Sequence, residues 1–94
     1  MVYMLVRHKV KDYEKWKPVF DENAAFRKAG GSKGGRLFRN IDNPNETIII
    51  FKWDNIENAR KFAKSEELEK AMDRAGVIEK PDIYFIEEFE QITV

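Results

Sequence analysis

His8 is the single histidine of a 94-residue chain that contains no cysteine. It is therefore the one side chain whose ordinary pKa lies near neutrality, and the natural candidate for moving a proton. It lies in the run Val2-Tyr3-Met4-Leu5-Val6-Arg7-His8-Lys9-Val10, on the alternating face that also carries Val2, Met4, Val6 and Val10. A histidine there either reaches a cavity wall, as a proton-transfer group, or closes a strand end by bonding a helix cap or water. Trp16, Phe20, Trp53 and Tyr84 form a second set. Their ring faces suit a flat polycyclic or quinone-like guest, and suit equally well the filling of a small core. Asn40, with Arg36 and Arg39, offers polar contacts to an enolate or carboxylate, although arginines on an edge strand also guard it against strand addition.

Several chemistries are excluded. Without cysteine there are no disulfides, thiolate metal sites or thiol nucleophiles, and one histidine does not build a multi-histidine metal cage. Seventeen basic against seventeen acidic residues give a net charge of zero, so no global field gathers nucleic acid or anionic lipid. The segment Gly30-Gly31-Ser32-Lys33-Gly34-Gly35 looks like a phosphate loop but follows a helix and leads into a strand, whereas a phosphate loop needs a helix N-terminus behind it. It reads as a helix stop and connector. The pairs Glu57 to Lys61 and Glu66 to Lys70 have the spacing of ordinary solvated helix contacts. The first ten residues lack a cationic lead-in and their apolar run is too short for a secretory segment or a membrane span, so a cytoplasmic location is expected.

The elements that must position these side chains follow from periodicity. Val2 to Val10 reads as strand one. Asp12 caps a helix in which Tyr13, Trp16, Phe20, Asn23 or Ala24 and Arg27 recur at helical spacing. Pro18 either kinks that helix or separates a first turn from a helix beginning near Lys17, and Gly30 is the expected left-handed C-cap residue. Gly34 to Ile41 and Thr47 to Trp53 read as strands two and three, joined by the turn Asp42-Asn43-Pro44-Asn45-Glu46. Asp54 and Glu57 fit a capping box opening the second helical region, which Ser65 restarts and Gly76 ends. Asp82 to Ile92 reads as strand four.

Residues 1–94 thus form one α+β domain of βαββαβ order. The near-continuous apolar runs of strands one and three belong in the sheet centre, and the charged strands two and four at its edges. That is the ferredoxin-like order, an antiparallel four-stranded sheet with helices on one face. Both faces of the central strands stay mostly apolar, so the second face needs a cover. A second copy related by a two-fold axis is the simplest one, and a homodimer is expected.

With HKVKDYEKW, GGSKGGRLFRN, FKWDNIENARKF and DIYFIEEF read together, the chain resembles the dimeric α/β-barrel superfamily. Within it, the likeness is to small stand-alone proteins of the antibiotic biosynthesis monooxygenase-like and cyclase-like kind. The resemblance implies a ligand cavity between sheet and helices and cofactor-independent oxygenation or cyclisation. Haem-degrading members carry a helical histidine as iron ligand, whereas His8 is on a strand, which argues against haem chemistry. The expected activity acts on a small aromatic or polyketide-like compound: His8 removes a phenolic or enolic proton, Asn40 holds the anion, Trp16, Phe20, Trp53 and Tyr84 line the pocket, and no metal or other cofactor is used. The alternative is a non-enzymatic ligand-binding or interaction protein whose dimer is the functional object. Strand three lacks the aromatic pattern of an RNA-recognition module.

Overall fold

The computed structural model describes residues 2–94. In chain order the elements are β1 (Val2–Lys9), α1 (Tyr13–Glu22), α2 (Ala24–Gly30), β2 (Ser32–Arg39), β3 (Glu46–Trp53), α3 (Ile56–Ala63), α4 (Glu66–Ala75) and β4 (Asp82–Glu87). The strands form one antiparallel sheet in the order β2-β3-β1-β4, with the two most apolar strands central as their composition predicts. β1 and β3 pair from Val2 opposite Trp53 to Lys9 opposite Glu46. This register gathers Met4, Val6 and His8 with Thr47, Ile49, Phe51 and Trp53 on one face, all buried beneath the helices. The other face carries Tyr3, Leu5, Ile48 and Ile50 at its centre, and Phe38, Tyr84 and Ile86 stand exposed beside them.

Each helical region is a pair of short helices. Asp12 caps α1 by accepting from the Glu14 amide at 3.0 Å. Pro18 does not separate a first turn from a helix beginning near Lys17. The helix runs through it, at the cost of the bond its missing N–H would give to the Glu14 carbonyl; Glu14 and Pro18 are both exposed, where water can take that bond. The break falls at Asn23 instead. The left-handed stop lies one residue beyond the expected Gly30: Gly31 has φ 120°, and a Cβ there would run into the Asp54 carboxylate.

In the second region Asn55, not Asp54, is the cap. Its side chain accepts from the Asn58 amide at 2.8 Å, and the Asp54 carboxylate accepts from the Asn55 amide and the Asn58 side chain. Ser65 and Gly76 bound α4 as expected. β2 starts earlier than the pattern indicates, because an irregularity between Ser32 and Gly35 lets Ser32 pair with Trp53. It also ends earlier, since Asn40 enters the turn. β4 stops at Glu87, opposite Val2, where its ladder with β1 ends, so residues 88–94 are not strand. No helix among the described residues is long and apolar enough to cross a membrane.

Candidate functional site

A cavity of about 60 Å³ lies between the sheet and the helices. Its floor is Met4, Val6, His8, Ile49 and Phe51 from β1 and β3, and α1 contributes Trp16 and Phe20. The period of the strands aims His8 inward, and the helical spacing of Trp16 and Phe20 turns both rings onto the cavity. Trp16 meets His8 edge-on, with centroids 5.6 Å apart at 79°, and stacks on Phe20 at 4.8 Å and 22°. The wall is apolar apart from His8, Asn23 and Arg27.

His8 is 5% exposed, and neither ring nitrogen has a hydrogen-bond partner among the described residues. Burial without a compensating charge pushes its pKa down to about 4, so the imidazole is neutral at physiological pH and presents one acceptor and one donor to the cavity region. Its cross-strand neighbour Thr47 is fully buried with its hydroxyl equally unpartnered. Unsatisfied buried polar groups cost about 1–3 kcal/mol each, so two together mark a place where the fold forgoes stability.

The other residues expected at the site divide. Trp53 is fully buried and packs against Phe62 at 5.0 Å, behind rather than on the cavity wall. Tyr84 is on the opposite face, across from Leu5 and 58% exposed; alternation along β4 turns Ile83 and Phe85 inward and Tyr84 outward. Asn40 is consumed by the β2–β3 turn: its Nδ2 donates to Glu46 Oε1 at 2.6 Å, and its Oδ1 accepts from the Asp42 amide at 2.8 Å. It is not a cavity residue. Arg39 stacks over Tyr13, with its guanidinium carbon 4.6 Å from the ring centroid.

Arg27 and Asn23 are polar wall residues that residue type alone does not single out. The signal was present, since both continue the Tyr13-Trp16-Phe20 stripe at helical spacing, and a cation or amide in an apolar stripe faces the cavity as its neighbours do.

No family model matches this sequence, and neither does any curated protein. Solved structures do match in fold. SnoaB, a cofactor-independent oxygenase from Streptomyces nogalater, shares 18% identity over 99% of this chain and 97% of its own, with a TM-score of 0.78. A structure from Bordetella bronchiseptica, described as a candidate antibiotic biosynthesis monooxygenase, shares 14% identity over 95% of this chain and 97% of that one, with a TM-score of 0.79. A further antibiotic biosynthesis monooxygenase structure matches at 12% identity over 96% and 100% of the two chains, with a TM-score of 0.72. The chain therefore has the fold of the antibiotic biosynthesis monooxygenase structures, with the ferredoxin-like strand order that the apolar and charged strands predict.

Proposed function

We propose that the cavity is the active site of a cofactor-free monooxygenase acting on a small, planar, electron-rich aromatic compound. The observation that carries this reading is His8, buried against Trp16 at the cavity wall with both ring nitrogens free of partners among the described residues. The fold shared with a cofactor-independent oxygenase supports it.

The neutral imidazole takes the phenolic or enolic proton of the bound substrate, and the imidazolium so formed pairs with the substrate anion. A buried base with a pKa of about 4 is weak for this task, so the reaction depends on that pairing and on whatever else stabilises the anion. The anion supplies the electrons that reduce dioxygen. One oxygen atom enters the product as a carbonyl, and the other leaves as water together with the two hydrogens lost from the substrate.

As it stands, about 60 Å³ holds dioxygen or a few waters, whereas pockets for drug-sized ligands span about 300–1,000 Å³. A planar substrate enters by displacing a wall, and α2 is the wall that yields: its seven residues include none that is fully buried, and it lies between the helix break at Asn23 and the left-handed Gly31. The uncovered sheet face, with Phe38, Tyr84 and Ile86 exposed beside half-buried Leu5 and Ile50, is assigned to a second copy of the chain.

The test is oxygen consumption by the purified protein with an anthrone- or hydroquinone-type substrate. Wild type consumes oxygen, and His8→Ala slows it at least tenfold. An unchanged rate in the variant removes His8 from the mechanism. If the wild type neither turns over nor is thermally stabilised by any of a panel of planar aromatics, the enzymatic reading gives way to an interaction protein whose dimer is the functional unit.

A further inference from the structure

Among the described residues, no carboxylate forms a salt bridge with Arg27. Its guanidinium donates to the Phe20 carbonyl, with Nη1 and the oxygen 2.7 Å apart. Asp21 is the carboxylate that acts on it electrostatically, but Asp21 is already held by Lys17 at 2.6 and 2.7 Å. The guanidinium is half-buried against the cavity wall and lies over the Phe20 ring, 3.8 Å from its centroid, and desolvation there disfavours its charge. A cation withdrawn from water without a neutralising partner attracts an anion more strongly than a solvated one does. One of its five N–H donors is spent on Phe20, which leaves a face of the fork for a ligand.

His8, Trp16, Phe20 and Arg27 form a ladder with successive steps of 5.6, 4.8 and 3.8 Å, so proton acceptor and cation occupy its two ends, with stacked rings between. Asn23, one helical turn before Arg27, lies on the same wall, and its side chain caps no helix.

We propose that Arg27 is the anion-recognising residue of the cavity, selecting aromatic ligands that carry a carboxylate or oxyanion on the edge turned away from His8. The inference rests on the reading of the cavity as a ligand site. It adds that removing a proton at the His8 end of a conjugated ring system places the resulting charge on an oxygen held at the Arg27 end. Arg27 thus compensates for the weakness of the buried base.

The test is titration of wild type, Arg27→Gln and Arg27→Lys with 2-naphthoate and with the neutral 2-naphthalenemethanol, followed by ligand-observed NMR. Wild type is expected to bind the carboxylate at least tenfold tighter than the alcohol. Arg27→Gln loses that preference while keeping its affinity for the alcohol, and Arg27→Lys retains the charge but only part of the preference, because an ammonium lacks the planar fork. Equal binding of both probes by wild type overturns the role of Arg27 and leaves the cavity reading intact. Undiminished preference for the carboxylate in Arg27→Gln likewise overturns it. If wild type binds neither probe, the cavity reading fails and the inference with it. The wild-type preference stands as a test even if the glutamine variant does not fold.

Discussion

The His8 imidazole and the Trp16 indole meet edge to face, 5.6 Å between centroids, and no group among the described residues bonds either imidazole nitrogen. A buried histidine usually has its tautomer fixed by a carboxylate or a backbone carbonyl. Here an aromatic edge takes that place, so the ring is held by packing while its proton chemistry is left open. Two consequences for pH follow.

The first concerns stability. The pKa of His8 falls from 6.5 to about 4 on folding, so the folded state binds fewer protons than the unfolded chain at pH values between them. The stability tied to neutral His8 is fully present above pH 6.5 and is lost as pH falls towards 4. The loss is about 3 kcal/mol at its limit. Denaturant titrations at pH 7 and pH 4 are expected to show a smaller acid loss for His8→Leu than for wild type, by most of that amount.

The second concerns rate. If His8 accepts the substrate proton, the acid limb of kcat/KM reports the free enzyme, and the break is expected near pH 4 rather than near 6.5. A break at the ordinary histidine value would mean that the imidazole is hydrated in solution or that another group titrates.

The uncovered sheet face makes a separate prediction. Light scattering of the purified protein is expected to give twice the 11.1 kDa chain mass. Ile86→Glu, which sets a charge into the face 40% exposed in the single chain, shifts the mass to that of the monomer. A wild-type mass of 11.1 kDa would leave the face without its proposed cover.

Behind the cavity, Trp53 and Gly31 are expected to be structural. Trp53→Ala empties a fully buried site against Phe62 and costs about 3–5 kcal/mol in denaturant titration. Gly31→Ala forces a Cβ onto a φ of 120° and against Asp54, at a cost of about 1–3 kcal/mol.

At the hairpin, the Glu46 carboxyl lies below its ordinary range, first because Asn40 donates to it and then because Arg7 is paired with it. The stability from this depressed pKa is present above the unfolded value and lost as pH falls through the folded one. Asn40→Ala is expected to raise the Glu46 pKa, measured by NMR of its side-chain carboxyl carbon.

The pattern of side chains alone determined the element types, the central pairing of β1 and β3, the strand face that His8 shares with Met4 and Val6, and the apolarity of both sheet faces. Each is a property of side-chain spacing against a period of 2 or 3.6, which no distant contact has to supply. Tertiary structure decided the rest. Asp54 and Asn55 both have capping chemistry, and the choice fell to Asn55 because the chain leaves β3 with Asp54 beside Gly31. Tyr84 had the right residue type for a pocket and the wrong parity for it, once β4 was registered against β1. Arg27 has the spacing of a wall residue, but the lack of a salt bridge to it among the described residues is visible only when Lys17 is seen to hold Asp21. Spacing says which side chains share a face; which face the helices cover, and what a side chain meets there, depends on segments far away in sequence, and this is why the companions of His8 on its strand face were legible while its inward direction and the charge at the other end of its ladder were not.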